Sequence, residues 1–169
     1  VHMDGARFAN AVAALGCSPA DLTWRAGVDV LSLGATKNGA INAEAVVAFD
    51  PALAREIPFL MKRGGQVLSK ARFVSAQLER YVADDRWLER AAAANANAAM
   101  LARALTALPG VSLVAPVESN MLFLRLPEAA VAAPEPAPVD FYHLGRALRF
   151  VCRLDQQPAG VEVLPDDVR

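Results

Sequence analysis

The sequence predicts an α/β protein in which a larger N-terminal portion leads into a smaller C-terminal α/β unit. Short, partly β-branched apolar runs at 28–33 and 45–49 bracket a segment rich in glycine and asparagine, and they read as two strands joined by a loop. Helical stretches at 69–81 and 85–108 follow, the second alanine-rich and stopped by Pro109-Gly110. Beyond residue 110 the texture turns strand-like at 111–114, 121–126 and 148–154, so the long helix marks the passage from one domain to the next.

The elements follow in order. Val1-His2-Met3-Asp4 reads as the inside of a strand, with no start methionine and no leading turn, and the expectation is a piece of a larger polypeptide. Residues 5–15 set Phe8, Val12 and Leu15 at helical spacing, and Gly16 supplies the stop. Ser18-Pro19-Ala20-Asp21 joins an N-cap serine, a proline at the first helical position and an acid three residues on, a variant capping box for a short helix or turn. Asp50-Pro51 caps the next helix and Gly64-Gly65 breaks the pattern after it. Residues 127–138 hold four prolines and five alanines, which predicts a mobile or irregular loop. No internal repeat is present.

With 169 residues and 54% hydrophobic content, the chain can bury one sizeable core. A formal net charge of -1 without a basic run leaves no electrostatic footprint for nucleic acid or an anionic membrane, so small polar or amphoteric ligands fit better. Cys17 and Cys152 lack metal-ligand spacing and read as reduced, buried thiols of a cytosolic protein; no metal site is expected. No apolar run approaches the roughly twenty residues that span a bilayer, and no signal segment opens the chain, so a cytoplasmic location is expected.

Candidate chemistry begins at Asp4. In a strand, His2 and Asp4 share one face and Met3 takes the other, while Gly5 lets another group approach the backbone. A carboxylate at a strand end is a common ligand position in open α/β sheets, and capping the helix at 5–15 is the competing role. Arg7, in that helix's first turn, opposes the helix dipole, which favours acids there; it reads either as the binder of an anionic ligand or as a solvated arginine.

Thr36-Lys37-Asn38-Gly39 is the most informative segment. Lys-Asn-Gly is a favoured turn in which a lysine is ordinarily solvated. Between two strand-like runs, however, a lysine also sits where partial desolvation would free its nucleophilic form. In the apolar run at 148–151, Arg149 demands a partner or an anionic ligand if that strand is buried, and Arg153 shares its strand parity.

His2-Met3-Asp4-Gly5-Ala6-Arg7-Phe8-Ala9-Asn10-Ala11, then Gly27-Val28-Asp29-Val30-Leu31-Ser32-Leu33-Gly34-Ala35-Thr36-Lys37-Asn38-Gly39, then Lys62-Arg63-Gly64-Gly65 resemble the low-specificity L-threonine aldolases, enzymes of the fold-type I class that uses pyridoxal 5'-phosphate. Ser119-Asn120-Met121 and Leu148-Arg149-Phe150-Val151 resemble later segments of the same family. The resemblance implies that residues 1–84 are the C-terminal portion of the cofactor-binding large domain, 85–110 a linking helix and 111–169 a small α/β domain.

It further implies that Lys37 bonds covalently to the cofactor aldehyde, that Asp4 pairs with the pyridinium nitrogen and keeps the ring an electron sink, and that His2 and Arg63 belong to the cofactor's surroundings. It places Arg63 near the phosphate, within the subunit or across a subunit interface, with a solvated loop residue as the competing role. Arg7 and Arg149 would clamp the substrate carboxylate, a planar anion suited to guanidinium forks. The implied reaction cleaves L-threonine and related β-hydroxy-α-amino acids to glycine and an aldehyde, in a homo-oligomer, dimer or tetramer. In the family the phosphate-binding loop, a ring-stacking histidine and a candidate base precede the His-Met-Asp-Gly-Ala-Arg segment. β-Elimination or transamination with the same cofactor, and an inactive structural or oligomerisation fragment, are the competing readings.

Overall fold

The computed structural model describes residues 1–127, 142–144 and 147–155. The chain divides into two compact units, Val1–Arg90 and Ala91–Arg169. Apart from Pro127, the proline-rich stretch 127–138 lies outside the described residues, as does the tail beyond Asp155.

The first unit is built on a three-stranded sheet of order β1-β2-β3, with β1 at His2–Gly5, β2 at Val30–Gly34 and β3 at Glu44–Ala48. β1 pairs with β2 in parallel, Met3 opposite Leu31 and Asp4 opposite Ser32, and β2 pairs with β3 antiparallel, Leu31 opposite Val47. Side chains alternate between faces along a strand. One face therefore carries Met3, Leu31, Leu33 and Val47 onto Phe8 and Val12 of helix α1 (Phe8–Leu15), which form the buried cluster with Leu31. Burying side chains of this size contributes roughly 1.5–3 kcal/mol each.

Helix α1 begins at Phe8 rather than at residue 5, because Asp4 and Ala6 make a tight turn first, the Ala6 N–H donating to Asp4 Oδ1 at 2.9 Å. Arg7 consequently takes the N-cap position instead of the first turn. The Ser18 hydroxyl donates to Asp21 Oδ2 at 2.6 Å in the turn that the capping pattern predicted. This bond and Arg25 hold the Asp21 carboxyl below the usual range.

Helix α2 (Pro51–Arg63) starts as Asp50-Pro51 predicts, with the Ala52 N–H donating to Asp50 Oδ1 at 2.7 Å. It keeps no buried residue, and helix α3 (Arg72–Val82) follows it, burying Tyr81. Tyr81 joins Ala35 and Ala43 in a second cluster, packed by Val74, Leu78 and Trp87.

Helix α4 (Arg86–Thr106) begins in the first unit, and from Ala91 on, in the second unit, it buries Ala91, Ala94, Ala98, Ala102 and Leu105, one stripe at helical spacing. Ala98, Ala102 and Leu105 pack on Leu122, Leu124 and Cys152. Leu122 and Leu124 belong to an antiparallel sheet of order β4-β5-β7-β6, formed by Ser112–Leu113, Met121–Arg125, Ala147–Val151 and Tyr142–Leu144, and Cys152 lies just past β7. β6 was not anticipated: three residues are too few to display a period.

The thiols differ from expectation in one respect. Cys152 is buried, and burial pushes its thiol up to about 11, whereas Cys17 is only partly buried. Both are unbridged. Among the described residues no helix is long and apolar enough to cross a membrane.

Candidate active site

Parallel pairing of β1 and β2 sends both strands' carboxyl ends to the same sheet edge, the usual ligand side of an open α/β sheet. Asp4 stands near the end of β1, and Lys37 lies just past the end of β2, in the 3₁₀ turn Thr36–Asn38. The apolar parity of Met3 and Leu31 turns His2, Asp4 and Ser32 to the opposite face, where His2 Nε2 and the Ser32 hydroxyl lie 2.8 Å apart.

Two glycines allow the strand ends to approach. A Cβ on Gly5 would stand 2.5 Å from Leu31 Cδ1 and 2.6 Å from the Ser32 carbonyl oxygen; one on Gly34 would stand 2.9 Å from Ala6 Cα and 2.8 Å from Glu44 Oε2. The role read for Gly5, close backbone approach, is therefore present. Asp4 keeps one carboxylate oxygen on the Ala6 N–H and is exposed, so its carboxylate faces outward from the sheet edge.

Lys37 is exposed, and the described residues around it do not supply the desolvation expected of it. What they supply is a fixed turn. The Asn38 side-chain amide donates to the Tyr81 hydroxyl and to the Trp87 carbonyl oxygen, both at 2.7 Å. On the other side of Lys37, the Thr36 hydroxyl accepts from the Ala43 N–H at 3.0 Å. A cleft of about 390 Å³ opens beside this turn, lined in part by Gly39, Tyr81, Trp87 and Arg90, and neither Lys37 nor Asp4 lines it.

The remaining candidates are placed as follows. Arg7 is half-buried at the start of α1, next to the Asp4 turn, and Arg63 is the exposed last residue of α2. Arg149 is half-buried in the second unit, opposite Phe123 and Tyr142 in the sheet. Arg153 lies beyond the strand end and makes a two-pronged pair with Asp155 at 3.0 and 2.8 Å. The carboxyl edge thus carries Asp4 and Lys37, with Arg7 adjoining in sequence, while His2 opens β1 on the face that Asp4 shares.

Sequence reading missed Asn38, Tyr81 and Trp87 as partners of the lysine turn. Asn38 was read only as half of an Asn-Gly turn; its burial depends on a helix that ends more than forty residues later, for which the local pattern holds no signal.

The fold and this edge define an α/β protein with a carboxylate near the end of one strand and an amine in the turn just past the end of its parallel neighbour. Residues 1–128 match the family model described as beta-eliminating lyase, and the chain belongs to that family. It is 44% identical over 171 aligned positions to a low specificity L-threonine aldolase from a Pseudomonas species and 46% identical over 171 positions to one from Pseudomonas aeruginosa, covering all of this chain and 49% of each relative. The chain therefore spans about half the length of the curated relatives it matches. Among solved structures, a threonine aldolase from Leishmania major superposes with a TM-score of 0.80 at 27% identity, over 99% of this chain and 52% of that one. The α/β fold is thus shared with a solved threonine aldolase.

Proposed function

We propose that the chain carries the covalent lysine of a pyridoxal 5'-phosphate-dependent aldolase that cleaves L-threonine and related β-hydroxy-α-amino acids to glycine and an aldehyde. The supporting observation is the amine of Lys37 and the carboxylate of Asp4 at the carboxyl ends of two adjacent parallel strands, in a chain of the beta-eliminating lyase family. The donor set fits the cofactor: Lys37 matches its aldehyde and Asp4 its ring nitrogen. When bound, the cofactor supplies an electron sink for the carbanion left by carbon–carbon cleavage.

The chain's own residues then do the rest. Asp4 holds a proton on the ring nitrogen, His2 shares its sheet face, and Arg63 adds positive charge for the phosphate. Arg7 and Arg149 orient the substrate carboxylate through bidentate bonds. Residues 1–84 serve as the C-terminal portion of the cofactor domain, 85–110 as the linking helix and 111–169 as the small domain, in a cytoplasmic homo-oligomer. Membership of the beta-eliminating lyase family supports β-elimination as the second reading, with the same Lys37 and Asp4.

The test is borohydride reduction of the intact protein with pyridoxal 5'-phosphate, followed by peptide mapping and product analysis. A pyridoxyl label on Lys37, absent from Lys37→Ala, with glycine and acetaldehyde from L-threonine, is the expected result. Pyruvate and ammonia from L-serine would select β-elimination, and a label on another lysine overturns the assignment.

A further inference from the structure

Lys37 is exposed, yet the two residues flanking it are tied down. Asn38 is 5% exposed, and an amide buried to that degree must have partners for its polar atoms. Because the Trp87 carbonyl oxygen can only accept, the atom 2.7 Å from it is the Asn38 NH₂ group, which fixes the orientation of the amide. The second N–H of that group then serves the Tyr81 hydroxyl, 6% exposed, also at 2.7 Å.

The partners are themselves braced. The Tyr81 ring meets the Trp87 ring with centroids 5.9 Å apart, and Trp87 stacks on Phe8 at 6.3 Å and 13°. Phe8 is the core residue of the helix that follows Asp4. An unbroken set of contacts therefore runs from the turn of Lys37, through Asn38, Tyr81 and Trp87, to the core on which the Asp4 strand is packed.

We propose that Asn38 and Tyr81 are positioning residues for Lys37: the buried amide clamps the lysine turn to the aromatic pair and so fixes the amine relative to Asp4. The inference rests on the assignment of Lys37 proposed above. It predicts that the amine reacts from one turn geometry, and that freeing the turn lowers turnover while leaving substrate affinity in place.

The informative variant is Tyr81→Phe, which keeps the ring packing and removes only the hydroxyl. Asn38→Asp, which cannot donate to the Trp87 carbonyl while ionised, is the stronger second variant. In the cofactor-free intact protein, Tyr81→Phe should speed hydrogen exchange at the backbone amides of Asn38 and Ala40, which bond the Ala35 carbonyl at 3.0 and 3.2 Å, by roughly threefold or more. With cofactor, kcat should fall about threefold in Tyr81→Phe and about tenfold or more in Asn38→Asp, with KM changing less than about twofold. The pH midpoint of the lysine-linked visible band should move in both.

Exchange at both amides and a pH midpoint equal to wild type in Tyr81→Phe, with unchanged kcat, overturn the proposal. Faster exchange with kcat and midpoint unchanged also overturns it, because the clamp then exists without positioning the amine. If the unmodified protein takes no label at Lys37, the assignment of the lysine has failed; the exchange measurement on cofactor-free protein still decides separately whether the clamp holds the turn.

Discussion

Gly5→Ala tests the close approach of β1 and β2 and, with it, the proposed roles of Asp4 and Lys37 at the carboxyl ends of those strands. The added Cβ would lie 2.5 Å from Leu31 Cδ1 and 2.6 Å from the Ser32 carbonyl oxygen. The Leu31 methyl can rotate away, but the Ser32 carbonyl belongs to the strand paired with β1 and moves only with it. Restoring an ordinary separation of about 3.5 Å requires a relative shift of about 1 Å. Overpacking of this kind costs about 1–3 kcal/mol, and the backbone contact argues for the upper end. At roughly 2–4 °C per kcal/mol for a cooperative unit of 150–250 residues, 3 kcal/mol lowers Tm by about 6–12 °C. A 1 Å displacement of a reacting group also lowers turnover by on the order of a hundredfold. Gly64→Ala is the matched control, since its Cβ would meet nothing nearer than the Leu60 carbonyl oxygen at 3.2 Å. Thermal melts of the intact protein check the first figure and kcat the second. A Gly5→Ala protein that melts within a degree of Gly64→Ala and turns over normally would refute the reasoning.

Two further outcomes are expected. Burial raises the folded-state pKa of Cys152 to about 11 and also raises that of Tyr81, so the folded protein holds those protons longer than the unfolded chain. Their contribution is complete below the ordinary values of 9.0 and 10.0 and is lost as pH rises through the folded-state values, so Tm should decline across about pH 9–11 and Cys152 should resist a thiol reagent at pH 8 until the protein unfolds. Arg149→Lys should raise KM for the amino acid with little change in kcat, because a lysine cannot reproduce the guanidinium fork; steady-state kinetics read it, and an unchanged KM removes Arg149 from the site.

The sequence was most legible where a local rule decides the outcome. Asp50-Pro51 and Ser18-Pro19-Ala20-Asp21 each predict a side-chain bond to nearby backbone or side chain, and each is made. The strands β2 and β3 fall within a residue or two of the apolar runs that predict them. Local rules fell short where two roles compete for one residue or where a distant element intervenes. Helix α1 starts late because the Asp4 carboxylate captures the Ala6 N–H, and among the described residues Lys37 is exposed while its neighbour Asn38 is buried. The first is a local bond of an acid that the sequence left between capping and ligand roles, and the second depends on α3 and α4, which have no signature at Asn38.

Parity ties stability to chemistry in the first unit. Met3 and Asp4 are adjacent, so whichever face takes one denies it to the other. A one-residue slip of β1 against β2 would carry Asp4 onto Phe8, Val12 and Leu31 and expose Met3. Burying an unpaired carboxylate carries a penalty of several kcal/mol, and exposing the half-buried Met3 forfeits part of the roughly 1.5–3 kcal/mol that full burial of such a side chain contributes. Together these terms far exceed thermal energy, about 0.6 kcal/mol, so the register that turns Asp4 away from the core is held by apolar burial on the opposite face. Gly5, whose missing side chain lets β1 lie against Leu31 and Ser32, completes that register, which makes the Asp4-Gly5 pair one unit in which the glycine sets the separation and the methionine before it sets the direction of the acid.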